Sequence, residues 1–336
     1  MIITKTPFRM SFFGGGTDIK EFYEEYGGSV LSTTFDKYCY VTVRHLPRFF
    51  SYSTELVYSK IERVTDIDSI EHPLVRNMMK FKNMHELRLS YEADLPARTG
   101  LGTSSSFAVG MLNAFYGLKG KRVDKRRLAD EAIYVERVLC NEDGGIQDQI
   151  AAAFGGLNRV DMSREGYKVN PIIIPKQRKK MFNNNLMLFF TGFSRFSANI
   201  QSETKQALSN KINNLLEMKR LVNEAEKILI DTSVDLNDFG RILDYTWKLK
   251  RGLAKSITTD SIDDIYQKAI NAGALGGKLL GAGGGGFLLF YVEPEKQKFV
   301  MKALDNFLYV PFEFENEGTH VIYFKSENYE IPEKYL

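Results

Sequence analysis

Leu95-Pro-Ala-Arg-Thr-Gly-Leu-Gly-Thr-Ser-Ser-Ser106 runs directly into the apolar segment Phe107-Ala-Val-Gly-Met-Leu-Asn-Ala-Phe-Tyr116. Two glycines one residue apart, then a row of hydroxyl residues, describe a loop that turns tightly into the first turn of a helix. The N–H groups of that turn and the helix macrodipole make an anion site, and the bare backbones of Gly100 and Gly102 let phosphate oxygens approach. An ordinary capped helix would show the same hydroxyls, because Ser and Thr cap helices anywhere. The rest of the chain decides between a phosphate cradle and a plain cap.

At 336 residues the chain exceeds the size at which one core keeps growing, which predicts two domains. Its 43% apolar and 26% charged residues are those of a soluble globular protein. A net charge of +3 is too small to argue for nucleic acid or an anionic membrane, yet it does not repel a phosphorylated substrate. Cys39 and Cys140 cannot build a disulfide framework and lack metal-ligand spacing, which suits a reducing compartment. The histidines, His45, His72, His85 and His320, are scattered. No basic region followed by an apolar run opens the chain, and no stretch reaches bilayer length. The expected location is the cytoplasm, with neither membrane nor nucleic acid as partner.

Residues 2–13 alternate and lead to Gly14-Gly-Gly-Thr-Asp18, which reads as a strand ending in a glycine loop with an acid at its exit. Lys5 and Arg9 share one face of that strand. A short helix is predicted at 19–26, with β-rich text at 29–44, 51–60 and 86–92. After the cradle helix, 103–117, a second helix at 124–140 carries the stripe Leu128, Ala132, Val135 and Leu139. Glu131 and Glu136 lie at the margins of that stripe, and position alone distinguishes neither. In Asn141-Glu-Asp-Gly-Gly-Ile-Gln-Asp-Gln149 a Gly-Gly turn leads into a helix, where Asp148 could merely favour the N-terminus electrostatically. Strands follow at 157–162 and 168–174.

Lys176-Gln-Arg-Lys-Lys180 reads as a solvated linker, since no aromatics interleave it as a nucleic-acid site would require. The domain boundary is placed there, giving 1–178 and 179–336. The second half predicts a strand at 186–191, helices at 196–230, 235–254 and 260–272 with Trp247 in the core, a glycine run up to Gly286, a strand at 287–292, a helix at 294–307 and strands at 309–314 and 319–325. That order suits an α+β half.

Gly281-Ala-Gly-Gly-Gly-Gly286 formally matches G-x-G-x-x-G, but a dinucleotide fingerprint follows a strand and opens a helix, whereas these glycines precede a strand. No G-x-x-x-x-G-K-[ST] is present, which excludes a P-loop. Taken together, Pro7-Phe-Arg-Met-Ser-Phe-Phe-Gly-Gly-Gly-Thr-Asp18, Leu95 to Ser106, Lys278-Leu-Leu-Gly-Ala-Gly-Gly-Gly-Gly286 and the Gln147-Asp-Gln149 segment resemble the GHMP small-molecule kinases. Within that superfamily the chain is most similar to the sugar 1-kinases of the D-glycero-D-manno-heptose 7-phosphate kinase type. Gly15 and Gly16 stand where galactokinases carry Glu and His, and Thr103 stands where the second motif usually has its first Ser.

The resemblance implies an α+β, two-domain fold, ribosomal protein S5 domain 2-like in the N-terminal half and ferredoxin-like in the C-terminal half. It implies ATP and Mg2+ as cofactors. Pro96, Gly100, Leu101, Gly102, Thr103, Ser104, Ser105 and Ser106 would hold the ATP phosphates, with Ser104 and Glu136 on the metal; this selects Glu136 over Glu131. Asp148 would accept the proton of the anomeric hydroxyl, and Arg9 would keep that carboxylate ionised. Asp18 with Gly15, Gly16 and Thr17 would bind the sugar, Arg195 would support the pocket, and Gly283 and Gly284 would wrap the substrate. Lys5, Arg98 and Arg44 are candidates for the acceptor's own phosphate. The implied reaction is ATP-dependent phosphorylation of C1 of D-glycero-D-manno-heptose 7-phosphate to the 1,7-bisphosphate, for nucleotide-activated heptose and surface polysaccharide. The alternatives are an L-fucose or galactose 1-kinase, or a catalytically silent sugar-binding homologue; a homodimer stays open.

Overall fold

A computed structural model describes residues 1–97, 99–192 and 211–326. Its first sheet is built around one long strand, β2 (Gly28–His45), which lies antiparallel to β1 (Ile2–Phe13), β5 (Leu87–Ala93) and β6 (Asn158–Ser163). The hairpin of β3 (Thr54–Val57) and β4 (Ile61–Val64) extends it beyond β5, and β7 (Gly166–Pro171) beyond β6. The last strands come back to this sheet: β12 (Phe314–Glu315) pairs with β2, and β13 (His320–Phe324) pairs with β1. A cut at 178/179 therefore separates β12 and β13 from the sheet they complete. Alternation in a sequence announces a strand but not its neighbour.

Helix α3 (Thr103–Leu118) packs on β1 and β2 and is buried almost all round. A helix with no polar face has to sit inside the protein. Around it lie α4 (Lys125–Tyr134) and α5 (Gln147–Phe154), while α1 (Lys20–Tyr26) and α2 (Pro73–Phe81) flank the sheet.

A second sheet, in the order β11 (Leu308–Tyr309), β8 (Leu186–Gly192), β10 (Gly286–Tyr291), β9 (Gly276–Leu279), forms the other half. Its helices are α7 (Ile212–Ile230), α8 (Asn237–Arg251), α9 (Asp260–Asn271) and α10 (Pro294–Ala303). Phe239 of α8 meets Phe12 and Phe13 of β1 edge to face, with centroids 5.5 Å and 5.0 Å away, and Phe182 likewise at 4.5 Å. This aromatic seam joins the halves directly above the glycine loop that follows β1. Trp247 is buried, as expected of a core residue.

The structure departs from the sequence reading at several places. Residues 176–180 are not a solvated linker but open helix α6 (Lys176–Asn184). Arg178 turns inward and donates to the carbonyls of Leu229 (2.8 Å), Ile228 and Val234 (2.9 Å), capping the C-terminal end of α7. Of the predicted strand at 51–60 only Thr54–Val57 is strand, and its hairpin partner Ile61–Val64 lies beyond that span. Glycines hid β9, and α2 carried too short an apolar pattern to announce itself. Among the described residues no helix is long and apolar enough to cross a membrane.

Candidate active site

Arg9 ties three segments together. Its Nε and Nη2 donate to Asp148 Oδ1 and Oδ2 at 2.7 Å and 2.8 Å, and its Nη1 donates to the Gly100 carbonyl at 2.7 Å. Its backbone N–H donates to the Leu101 carbonyl at 3.1 Å. The flat guanidinium fork matches a carboxylate edge to edge. Arg9 is buried, whereas Asp148 keeps 25% of its side chain open. Asp148 sits in the first turn of α5, where the helix dipole favours a carboxylate.

The loop above this pair needs its glycines. Gly102 has φ +73°, and a Cβ there would stand 3.2 Å from Arg9 Cγ and 3.4 Å from Asp148 Cγ. It is itself the N-cap of α3 and makes no side-chain cap. The hydroxyls are therefore not a plain cap: Ser106 Oγ donates to the Pro7 carbonyl (2.9 Å), Ser105 is buried and Ser104 is exposed. Thr99 Oγ1 closes the loop onto the Pro96 carbonyl at 2.8 Å. The second and third motifs touch backbone to backbone: a Cβ on Gly100 would lie 2.4 Å from the Leu280 carbonyl oxygen, and one on Gly286 would lie 2.3 Å from that of Thr99. Gly283 packs against the backbone of Ile257, and Gly284 N–H donates to its carbonyl at 3.0 Å.

Ser104 Oγ donates to Glu136 Oε1 at 3.0 Å, and Gln149 Nε2 donates to Oε2 at 2.6 Å. Glu136 is on a single π turn, Val135–Leu139, where the predicted helix at 124–140 loosens; such turns re-aim a side chain. Burial raises its pKa above the usual carboxylate range. Glu131 instead pairs with Lys82 (2.9 Å) and Arg127 (3.0 Å), away from Ser104. Two hard oxygens about 3 Å apart match an octahedral edge, which for ligands about 2.05 Å from Mg2+ is about 2.9 Å. The oxygens of Ser104 and Glu136 would suit that ion.

Asp18 is buried at the end of the first glycine loop. Its Oδ1 accepts from Gly16 N–H (2.9 Å) and its Oδ2 from Gln147 Nε2 (3.0 Å). Burial, and then the charge of Asp148, raise its pKa. Thr17, expected at the substrate, is fully buried. Its hydroxyl bonds to the carbonyls of Gly14 (2.8 Å) and Ser29 (2.9 Å), so it holds the loop instead.

Lys5 is not brought to Arg9. Its Nζ lies 3.7 Å from the centroid of the Tyr38 ring, and the β1–β2 register slips between Pro7 and Phe8. A shared strand face does not remove the separation of about 13 Å that four residues impose. Arg44 stands opposite Arg88 on β5, also away from the loop. Arg98 and Arg195 lie outside the described residues.

Two site residues escaped the sequence reading. Lys250 Nζ donates to the carbonyls of Leu279 (3.0 Å) and Gly281 (2.5 Å), and Lys278 Nζ donates to that of Phe12 (2.8 Å). Burial first, then the charge of Arg9, push Lys250 down to about 7; burial, then Lys250, push Lys278 well down. The available signal was a lysine in the buried stripe of Phe239, Leu243, Trp247 and Lys250.

A glycine loop at a helix start, a carboxylate gripped by arginine and a separate pair of a buried Glu and an exposed Ser define a phosphotransferase site. Residues 71–156 match the GHMP kinases N-terminal domain and residues 232–310 the GHMP kinases C-terminal domain. The chain is 29% identical over 319 residues to the D-glycero-alpha-D-manno-heptose 7-phosphate kinase of Campylobacter jejuni, covering 90% of this chain and 93% of that one. It is 24% identical to the galactokinase of Pyrococcus furiosus, covering 90% and 92%. A solved D-glycero-D-manno-heptose 1-phosphate kinase from Bacteroides thetaiotaomicron superposes with a TM-score of 0.78 at 25% identity, over 97% of this chain and all of that one. The chain belongs to the GHMP kinases and has their two-domain fold. It is an ATP-dependent phosphotransferase.

Proposed function

We propose that this kinase transfers the γ-phosphoryl group of ATP to the anomeric hydroxyl of D-glycero-D-manno-heptose 7-phosphate, giving the 1,7-bisphosphate. The observation that carries the reading is the Arg9–Asp148 pair directly beneath the Gly100–Gly102 loop. Two relatives of heptose-kinase name, each covering nine-tenths or more of the chain, support a heptose acceptor, and the name of the first supports its 7-phosphate.

The acceptor hydroxyl gives its proton to Asp148 as its oxygen attacks the γ-phosphorus; the bond from that phosphorus to the bridging oxygen breaks, and the electron pair leaves with ADP. Arg9 holds both carboxylate oxygens in place before attack and offsets charge on the transferring group afterwards. Each Asp148 oxygen retains a lone pair beyond its bond to Arg9, so the carboxylate can accept the substrate's hydrogen bond. Asp18 orients the sugar for in-line attack. Mg2+, held by Ser104 and Glu136, would neutralise phosphate charge.

A panel of sugars and sugar 7-phosphates, assayed for ATP consumption with phosphorus NMR of the product, tests the reading. Heptose 7-phosphate is expected to be used best, with the new phosphate on C1. Preferential use of galactose or L-fucose would overturn the heptose assignment and leave a 1-kinase for another sugar.

A further inference from the structure

Two polar atoms beside Asp18 have no hydrogen-bond partner among the described residues: Ser11 Oγ and Gln147 Oε1. Their residues are only 6% and 8% exposed. Leaving a hydroxyl or an amide oxygen buried and unpaired is unfavourable, so native proteins rarely do it without a purpose. The Gln147 amide is not free to turn, because Nε2 is committed to the Asp18 carboxylate at 3.0 Å. Its oxygen is therefore the unpaired end.

Both residues border the same small space. Ser11 lies two residues beyond Arg9 on β1, on the face that carries Arg9 to the site. A Cβ placed on Gly15 would stand 3.7 Å from Ser11 Oγ and 3.8 Å from Gln147 Nε2. Gly15 is itself only half-buried, while Ser11 Oγ and Gln147 Oε1 lie beneath it with almost no exposed surface. Asp18 closes the other side through Gln147.

We propose that Ser11 and Gln147 are specificity-determining residues for the acceptor, and that the Gly15 notch seats one of its hydroxyl groups. Ser11 Oγ–H donates to that hydroxyl, and the hydroxyl donates to Gln147 Oε1. A hydroxyl satisfies both atoms, whereas a methylene satisfies neither and a carboxylate leaves Gln147 Oε1 unpaired. The notch therefore selects a polyhydroxylated acceptor at a position away from the reacting oxygen. The inference rests on the sugar-kinase reading above.

Steady-state kinetics of the full chain with ATP and D-glycero-D-manno-heptose 7-phosphate test it, using Ser11→Ala and Gly15→Ala. The second variant guards against misfolding: Gly15 has no left-handed backbone, and the contacts a Cβ would make are ordinary van der Waals distances. Each variant is expected to raise the acceptor KM about tenfold while the KM for ATP and the melting temperature hold. Wild type should discriminate about tenfold against one monodeoxy analogue of the acceptor, and Ser11→Ala should lose that discrimination. An unchanged acceptor KM in active variants overturns the notch, as does an equal rise in both KM values. A wild-type protein that phosphorylates no sugar overturns the sugar-kinase reading, and the notch with it.

Discussion

Gly100 and Gly281 meet backbone to backbone: a Cβ built on Gly281 would fall 2.2 Å from the Gly100 Cα. The two loops that border the phosphate site thus fix each other's position across the join between the sheets. Gly281→Ala should force them apart. We expect a loss of about 2 to 4 kcal/mol of stability, from overpacking together with a non-glycine residue at φ +74°. The KM for ATP should rise at least tenfold. Gly120→Ala, at φ +65° with nothing within 4 Å, isolates the backbone contribution and should lose clearly less in thermal unfolding. Equal losses in the two variants would show that the loop contact is unimportant.

Asp148→Asn keeps the shape of the Arg9 contact and removes the proton acceptor. Turnover should fall about 10²- to 10⁴-fold while ATP binding, measured calorimetrically, is retained. Residual turnover within about tenfold of wild type excludes Asp148 as the base.

Glu136→Gln removes a buried carboxylate whose pKa burial has raised. Folding should be unharmed or slightly improved, because an amide is easier to bury than a charge. The Mg2+ concentration needed for half-maximal activity should rise at least tenfold. A variant with normal Mg2+ dependence would place the metal elsewhere.

Lys250 binds a proton less readily in the folded chain, at about 7, than at its ordinary value of 10.5. Between those two values the unfolded state holds more protons, so stability rises with pH; below about 7 both states are protonated and the full penalty of burying the ammonium is present. Chemical denaturation at pH 7 and pH 9 should show the wild type more stable at pH 9. Lys250→Met should shrink that difference, leaving the share that buried Lys278 contributes. A wild-type stability that falls between these values would contradict the assignment.

Much of this site was legible because its parts are local in sequence. Gly100, Gly102 and the hydroxyls of α3 sit within one turn of each other, and their residue types state what the backbone must do. Resemblance supplied Glu136 where the helical stripe could not, because a π turn changes the direction of a side chain without leaving a compositional mark. What stayed hidden depends on distant partners. Lys5 and Arg9 share a strand face, but the irregular pairing with β2 after Pro7 gives Lys5 an aromatic neighbour of its own. Arg178 looked like one charge in a polar run until α7 presented its terminal carbonyls. Ser11 is an unremarkable strand residue until Gly15 and Gln147 stand beside it.

The hydroxyls of Thr6 and Thr319 lie 2.8 Å apart across 313 residues of chain, where β13 closes over β1. During synthesis the flank of β1 stays unpaired through most of elongation and is covered only when this late strand emerges from the ribosome. An open strand edge invites pairing with other chains. The N-terminal half is therefore a poor candidate for expression by itself, because its first strand waits for the last one.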